Sequence, residues 1–348
     1  MSVLLTGGAG YIGSHMVLDL LAAGEEVVVL DNLSVGFRWA LPDDIIFVEG
    51  DYGDATVLNN IFSRYRIDTI IHLAAKIMAP ESIIDPLGYY GNNAIKSAIL
   101  LEQAIKAAVP HFIFASSAAV YGERNVAILT ENDPTEPINP YGRSKLMVEW
   151  MLEDVAFAHQ INFAALRYFN VCGADPEGRA GQNNSKGTHL INVAVQAALG
   201  QRAFVEVFGT DYPTQDGSCI RDYIHVTDLV RANMTALKHL RLGGASITCN
   251  IGYGSGYSVL DVINTVKRVS GHPFDVRLLG RRVGDPSLVV ASNHLARSEL
   301  GWEPCHANLE EIIQHSLAWA SRLDCHRAPG ISALSMKTHQ TGAPSPMP

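Results

Sequence analysis

The first half of the chain alternates short, continuously apolar runs with longer stretches in which apolar residues recur at helical spacing. The runs are rich in β-branched residues and predict strands at 3–6, 27–30, 45–48, 69–73 and 111–116. The stretches between them predict helices at 12–23, 55–64 and 89–108, and a further helix opens at Pro140. Continuous apolar runs indicate strands buried on both faces, so this order predicts an α/β fold with a doubly wound parallel sheet.

Beyond residue 170 the pattern changes. Residues 172–187 and 209–218 are rich in Gly, Asn, Asp and Pro, which is typical of loops that carry function. We expect residues 1–170 to form the sheet domain and 171–326 a smaller, interleaved C-terminal domain that returns in places to the first. Residues 327–348 have no hydrophobic period and predict a disordered tail.

Composition narrows the class of protein. The 348 residues fit about two domains, and a net charge of −9 argues against a nucleic-acid partner. No apolar stretch is long enough to span a membrane, and the N-terminus lacks the basic region of a signal peptide. The five cysteines are scattered without metal-ligand spacing. We therefore expect a cytoplasmic protein with free thiols, no bound metal and no membrane contact.

A glycine-rich turn, TGGAGYIG at residues 6–13, lies between the first predicted strand and the first helix. Glycines allow a sharp turn and a close approach to a pyrophosphate, which then rests on the positive N-terminus of the helix. Asp31 ends the second strand, where a carboxylate accepts hydrogen bonds from ribose hydroxyls and repels a 2′-phosphate. The spacing thus predicts a Rossmann-like NAD site, while Arg38 nearby is the one residue that would favour NADP.

Tyr141 and Lys145 lie four residues apart on the helix that opens at Pro140, so they share a face. A tyrosine titrates near 10, too high for a base at neutral pH, but a neighbouring ammonium favours the phenolate and lowers its pKa. Ser116 and Ser117 end an apolar strand, where a hydroxyl can bind the same substrate oxygen as the phenol. We therefore predict that Tyr141, Lys145 and Ser117 are catalytic.

Further motifs extend these observations along the chain. They are 6–15 (TGGAGYIGSH), 30–33 (LDNL), 116–122 (SSAAVYG), 140–145 (PYGRSK), 166–170 (LRYFN), 209–214 (GTDYPT), 221–226 (RDYIHV) and 281–285 (RRVGD). Together, in this order, they resemble the extended short-chain dehydrogenase/reductase family, and within it the 4-epimerases of UDP-glucose and UDP-galactose. The resemblance covers roughly residues 1–320 and leaves only the tail outside.

The resemblance implies NAD-dependent interconversion of UDP-glucose and UDP-galactose. Tyr141 would take the proton of the sugar 4-hydroxyl as C4 is oxidised, and the 4-keto sugar would turn and receive the hydride on its other face. Lys145 would hold the nicotinamide ribose, and Ser117 the reacting oxygen. The resemblance also implies a homodimer that pairs through helices near 89–108 and 141–153.

Other contacts are implied in the same way. The residues expected to contact NAD are Gly7, Gly10, Tyr11, Ile12, Gly13, Asp31, Asn32, Asp51, Tyr52, Asn92, Tyr141 and Lys145. Those expected to contact the UDP-sugar are Ser117, Tyr168, Asn170, His189, Leu190, Phe208, Arg221, Arg282, Asp285 and Val289. At Val289 the family carries a size gate, and a small residue there suggests that N-acetylhexosamines also enter.

The sequence leaves two alternative functions open. The first is a 4-epimerase of another UDP-sugar, an N-acetylhexosamine, pentose or uronate. The second is a non-catalytic NAD-sensing module, which would have little reason to keep Tyr141, Lys145 and Ser117 together. A sugar 4,6-dehydratase is disfavoured because Ser117 is followed by Ala118 and Ala119 instead of an acid pair.

Overall fold

The computed structural model describes residues 1–124, 126–183, 187–282 and 284–327, so residues 328–348 of the predicted tail lie outside it. In chain order its strands are β1 Ser2–Thr6, β2 Glu26–Asp31, β3 Ile46–Glu49, β4 Ile67–His72, β5 His111–Ser117, β6 Asn162–Tyr168, β7 Asn170–Cys172, β8 Phe204–Phe208, β9 Ile220–His225, β10 Ile247–Ile251, β11 Gly256–Ser258, β12 Asp275–Leu279 and β13 Leu288–Val289. Its α-helices are α1 Tyr11–Ala22, α2 Ala55–Arg64, α3 Ala79–Ile84, α4 Pro86–Tyr89, α5 Lys96–Lys106, α6 Pro140–Ala158, α7 Leu190–Ala198, α8 Val226–Arg241, α9 Val259–Ser270, α10 His294–Leu300 and α11 Leu309–Arg327.

Seven strands form one sheet in the order β10-β6-β5-β4-β1-β2-β3, and every neighbouring pair is parallel. The strand order reverses between β1 and β4, so the connections on the two sides of that point cross opposite faces of the sheet. This is the predicted doubly wound, Rossmann-like α/β fold.

The two faces of the sheet bury alternate residues of the same strands. Val3 of β1 packs with Met16 of α1 and Leu229 of α8 on one face. Leu4, the next residue, packs on the other face with Leu100 of α5 and the apolar side of α2 and α6. Burial on both faces explains why the strands read as continuous apolar runs.

The second half of the chain builds smaller sheets around β9. Its neighbours are β11, which is antiparallel, and β7 and β13, which are parallel to it. Helices α7, α9 and α11 pack over this region in a core of their own, and β8 pairs with β12 at its edge. In contrast, β10 and α8 return to the large sheet, so the chain passes between the two regions more than once.

The long helix predicted at 89–108 is confirmed in outline, because residues 86–106 are continuously helical. It consists of α4, a π-helical turn at Tyr90–Ile95 that the pattern did not predict, and α5, and the short helix α3 precedes it. Pro86 begins α4, where its missing N–H costs nothing. The wider π turn carries Asn93, whose side chain bonds outside the helix, as described below. No described helix is long and apolar enough to cross a membrane.

Burial keeps several histidines neutral. It lowers the pKa of His15 to about 4, that of His72 to about 3 and that of His225 to about 2, and it also lowers the pKa of His315. The His225 ring centroid lies 4.7 Å from that of His306 and 5.2 Å from that of His315, so like charges there would also repel. These rings join α8 and α11 at the boundary of the two regions.

These histidines predict a specific acid sensitivity. Their folded-state pKa values lie below the unfolded value near 6.5, so below that pH the unfolded chain binds more protons and stability falls. At pH 5 each of His15, His72 and His225 costs about 2 kcal/mol of stability relative to pH 7. We expect His225→Asn, which still accepts the Thr227 N–H at the start of α8, to reduce the loss of unfolding free energy between pH 7 and pH 5 by about that amount.

Urea unfolding at the two pH values measures this effect. His294→Asn is the matched control, because His294 is exposed at the start of α10, and its pH dependence should equal that of the wild type. An unchanged pH dependence in His225→Asn would show that His225 is not among the groups responsible.

Candidate active site

Four chain segments meet where the sheet reverses its strand order. The glycine turn follows β1, residues 73–78 follow β4, Ser117 closes β5, and Asn170 follows β6. In open α/β sheets ligands bind in the crevice outside the carboxyl ends of the strands at this reversal. The position of the crevice therefore follows from strand order alone.

The glycine turn is shaped for close approach of a ligand. Gly7 has a φ of +74°, and a Cβ there would lie 2.8 Å from the main-chain nitrogen of Ala74. A Cβ on Gly13 would lie 2.2 Å from the Gly7 carbonyl oxygen. Gly10 precedes α1 without a side-chain cap, so the N–H groups of residues 11–13 lack capping partners. This backbone fits a pyrophosphate.

Asp31 lies at the end of β2 with its carboxylate against the same turn. Its two oxygens accept the N–H groups of Ala9 at 2.9 Å and Leu33 at 2.8 Å. Burial raises the pKa of this carboxyl, and the two N–H donors oppose the shift. Arg38, the cation that would favour NADP, donates instead to the carbonyls of Pro42 and Asp43, each at 3.1 Å. The Asp31 carboxylate is therefore suited to accept hydrogen bonds from the adenosine ribose of NAD.

A second polar group lies beyond β3, on the side expected for adenine. Asp51 forms an ion pair with Lys96 at 2.5 Å and accepts the Gly53 N–H at 2.8 Å. Burial alone would raise the pKa of Asp51, but these contacts lower it. Asn32 reaches the same carboxylate at 3.5 Å. The carbonyl of Asn92 accepts the hydroxyl of Tyr52, so the structure brings together Asn32, Asp51, Tyr52 and Asn92.

Helix α6 carries the tyrosine and the lysine to the crevice. It begins after Asn139, whose side chain accepts the Gly142 N–H at 2.9 Å. Lys145 is buried, and its Nζ donates to the Ala115 carbonyl of β5 at 2.7 Å. Ser117 ends β5, and its Oγ accepts the Ala119 N–H at 3.2 Å. Tyr141, Lys145 and Ser117 therefore meet at the ends of β5 and α6.

The ionisation of Tyr141 differs from the sequence-based expectation. Burial raises its pKa, and hydrogen bonding with Ser117 opposes that shift. Burial lowers the pKa of Lys145 to about 7, against the charge of Glu149. The protein's own groups therefore do not bring Tyr141 to neutral pH. Burial is the larger of the two effects on the pKa of Tyr141, because it removes the phenolate from water.

A buried ion pair lies directly behind these residues, and the sequence analysis missed it. Glu149 accepts two hydrogen bonds from Arg167, at 2.7 Å and 3.1 Å, and one from Ser116. Arg167 also donates to the Tyr121 hydroxyl at 2.8 Å. A glutamate four residues after Lys145, within an otherwise apolar helical run, was the signal that could have found it.

A second buried network was also missed. Thr6 and His72 bond at 2.7 Å, and His72 and Ser97 at 2.9 Å, so the ends of β1 and β4 are tied to α5. The Ser97 hydroxyl donates to the Asn93 carbonyl at 2.6 Å. The Asn93 amide in turn donates to Ser144 Oγ at 3.1 Å, next to Lys145 in sequence. The network links the glycine turn to α6.

The other wall of the crevice belongs to the second half of the chain. Arg221 of β9 forms an ion pair with Asp285 and donates to the Pro286 carbonyl at 2.6 Å. The Arg282 guanidinium lies 3.4 Å from the ring centroid of Phe208 and forms no ion pair within the described part of the chain. Arg282 is therefore the cation more available to an anionic ligand.

Further predicted contacts lie on the same side. Val289 of β13 is buried with Ala118 and is in register with Arg221, which connects the end of β5 to the arginine wall. Asn170 is exposed at the start of β7. His189 is exposed and precedes α7, whose first residue is Leu190. The Tyr11 hydroxyl donates to the Gly173 carbonyl at 2.7 Å and ties the glycine turn to this half.

Tyr168 is the predicted substrate residue that the structure does not bring to the crevice. Its side chain is buried in the core beneath the sheet, and its hydroxyl donates to Asn233 of α8 at 2.8 Å. The side chains of β6 alternate between faces, and Arg167 takes the face of α6. Tyr168 therefore points to the opposite face, which corrects the expectation of a side-chain contact.

Comparison with known proteins agrees with this geometry. A curated UDP-glucose 4-epimerase of Azospirillum brasilense is 48% identical over 322 residues, 92% of each chain. A crystal structure of a UDP-glucose 4-epimerase superposes with a TM-score of 0.90 at 42% identity and covers 96% of this chain and 100% of that one. The UDP-Glc/GlcNAc 4-epimerase of Campylobacter jejuni has a TM-score of 0.81 at 42% identity, over 92% of this chain and 99% of its own.

A family model matches residues 3–252, which span the large sheet, the glycine turn and the Tyr141–Lys145 pair. The match covers more than half of the chain, and the curated relatives extend it through the arginine wall. The chain belongs to the NAD dependent epimerase/dehydratase family.

Proposed function

We propose that this protein interconverts UDP-glucose and UDP-galactose by inverting C4 of the sugar. The observation that carries the proposal is the meeting of Tyr141, Lys145 and Ser117 where β5 ends and α6 begins. When bound, NAD would supply the hydride chemistry for inversion at C4, with no net oxidation of the sugar. The names of the curated relatives support the same substrate pair.

Three side chains position the sugar 4-hydroxyl and transfer its proton. Ser117 binds this oxygen and aligns it with the Tyr141 hydroxyl, which holds the proton in one half of the reaction and returns it in the other. Burial raises the pKa of Tyr141, so the phenolate forms only when positive charge accumulates beside it. Lys145 supplies part of that charge from the next turn of α6, and the cationic nicotinamide of bound NAD would supply the rest.

The nucleotide end of the substrate is held by the opposite wall. Guanidinium groups suit a pyrophosphate because they donate two parallel hydrogen bonds. Arg282 is available for this contact, and Asp285 fixes the orientation of Arg221. Asn170, His189, Leu190 and Phe208 complete the expected nucleotide contacts. Anchoring at this end leaves the sugar free to turn between the two half-reactions.

The proposal also assigns the two ligands to two parts of the chain. Residues 1–170 hold NAD, and residues 171–326 hold the UDP-sugar. A second copy of the chain is the expected partner, in a homodimer that pairs through the helices near 89–108 and 141–153. Large apolar side chains exposed in these segments support it: Ile95 is 61% exposed and Trp150 54%.

The remaining expectations concern partners and compartment. We propose that the protein works in the cytoplasm, since the described cysteines are free thiols: Cys172, Cys219, Cys249 and Cys305. Nucleic acid is not expected as a partner, because a net charge of −9 repels phosphates outside a local arginine wall.

Acceptance of UDP-N-acetylhexosamines is a second candidate activity. Val289 packs with Ala118, the residue after Ser117, and is in register with Arg221. It therefore lies between the reacting oxygen and the nucleotide anchor, where a small side chain leaves room for an acetamido group. The similarity to the UDP-Glc/GlcNAc 4-epimerase supports this reading.

The first test is conversion of UDP-galactose to UDP-glucose by the purified protein without added NAD. Because the cofactor is regenerated in every cycle, we expect full turnover with no accumulation of NADH absorbance at ~340 nm. Net NADH formation would indicate a dehydrogenase instead, and no conversion of any UDP-sugar would favour the NAD-sensing module.

The second test is Tyr141→Phe. The phenylalanine keeps the ring in the crevice but cannot hold the proton, so we expect kcat to fall about 10²- to 10⁴-fold. The bound NAD content should equal that of the wild type, as measured after heat release. Near-normal turnover would show that another group takes the proton.

The third test addresses sugar range. We expect the wild type to turn over UDP-N-acetylglucosamine, and Val289→Tyr to lower that activity at least about tenfold while UDP-galactose turnover changes much less. Val289→Leu, which keeps the site apolar without the added ring, is the control. Absence of acetylated turnover in a wild type that is active on UDP-galactose would contradict the proposal.

A further inference from the structure

The carboxylate of Glu149 is the central feature of the polar group behind the crevice. Glu149 is only 1% exposed, yet its two oxygens accept three hydrogen bonds, two from Arg167 and one from Ser116. It lies on α6 one turn after Lys145, on the same face of the helix. A buried charge is costly unless it is fully paired, so this carboxylate is held in one position.

Lys145 and Glu149 hold two successive residues of β5. The Lys145 Nζ donates to the Ala115 carbonyl at 2.7 Å, and the Ser116 hydroxyl donates to Glu149. Ser117 is the next residue, so its position depends on both contacts. The same face of α6 thus fixes the catalytic serine relative to the lysine.

Two opposing effects, burial and the charge of Glu149, act on the protonation of Lys145. Lys145 forms no ion pair among the described residues, and its ammonium group lies 4.9 Å from the ring centroid of Phe114. Burial lowers its pKa to about 7, and the negative charge of Glu149 opposes that shift. Loss of the Glu149 charge therefore favours the neutral amine.

Other ionisable groups face this part of α6 from each element packed against it. They are Tyr141 and Glu153 on α6, His72 on β4, Tyr89 on α4, Lys96 on α5 and Arg167 on β6. Lys96 is paired with Asp51, and the Tyr89 hydroxyl bonds Met78 and Glu81. Burial keeps His72 neutral, with a pKa of about 3. Glu149 is the neighbour whose charge acts on Lys145.

We propose that Glu149 is a positioning residue for the reaction, which keeps Lys145 in its ammonium form and fixes Ser117 through Ser116. The proposal rests on the proposed function, in which Lys145 supplies positive charge to Tyr141. Arg167 pairs with Glu149 and so permits its burial, and its other hydrogen bond goes to the Tyr121 hydroxyl.

The test is Glu149→Gln, which keeps the shape and the hydrogen bond to Ser116 but removes the charge. We expect the midpoint for deprotonation of Lys145 to move down by about one pH unit. NMR titration of the protein with ¹³Cε-labelled lysine measures it, and the Lys145 signal is assigned by its absence from Lys145→Arg. The alkaline limb of the kcat profile on UDP-galactose should move down with it, at nearly constant KM.

Three further variants complete the design. Glu149→Asp keeps the charge and should restore most of the wild-type titration. Glu153→Gln, one turn further along α6 at an exposed position, should change neither readout. If Glu149→Gln fails to fold because Arg167 is left unpaired, Glu149→Gln/Arg167→Met removes both charges and should still shift the titration downward, by a smaller amount because the lost Arg167 cation partly offsets the lost Glu149 anion.

The outcomes separate this inference from the function on which it rests. An unshifted Lys145 titration in folded Glu149→Gln would overturn it, as would a kcat lowered by one factor at every pH, which indicates a merely structural role. The NMR titration needs no turnover. A shifted titration in a protein that epimerises neither UDP-sugar would uphold the electrostatic coupling and reject the proposed function.

Discussion

Parallel strand direction is the constraint on which the rest of the structure depends. Because all seven strands of the large sheet run the same way, their carboxyl ends open on a single edge. The reversal of order between β1 and β4 leaves a crevice there, and the segments after β1, β4, β5 and β6 line it. The glycine turn, Ser117 and the start of α6 become neighbours because of this arrangement, although they are far apart in sequence.

Buried polar groups hold that edge in register. An apolar core is tolerant of small shifts, whereas a buried hydrogen bond fails over a fraction of an ångström, and each unmade one costs about 1–3 kcal/mol. His72 ties the ends of β1 and β4 to α5, and Glu149 ties α6 to β5 and β6. The crevice is therefore positioned by charge and hydrogen bonding, while the apolar clusters on the two faces supply most of the stability.

The sequence predicted the elements of the first half well, because both-sided burial leaves a strong apolar signal and glycines mark the turns. It did not predict the π turn inside the helix expected for 89–108, where Asn93 bonds to Ser144 far along the chain. It also failed for Tyr168, since a motif gives the residue but not the face of the strand on which its side chain lies. Both errors concern contacts between distant segments, which no local pattern encodes.

What the sequence determined by itself was local chemistry: a turn that only glycines can make, a carboxylate at the end of β2, and a tyrosine and lysine on one face of a helix. These depend on backbone sterics and helical spacing over a few residues. The ionisation of Tyr141 and Lys145 was decided only by the tertiary structure, which buries both and sets Glu149 behind the lysine. Desolvation and the charges of distant residues depend on packing, so the protonation states of Tyr141 and Lys145 are set only in the folded chain.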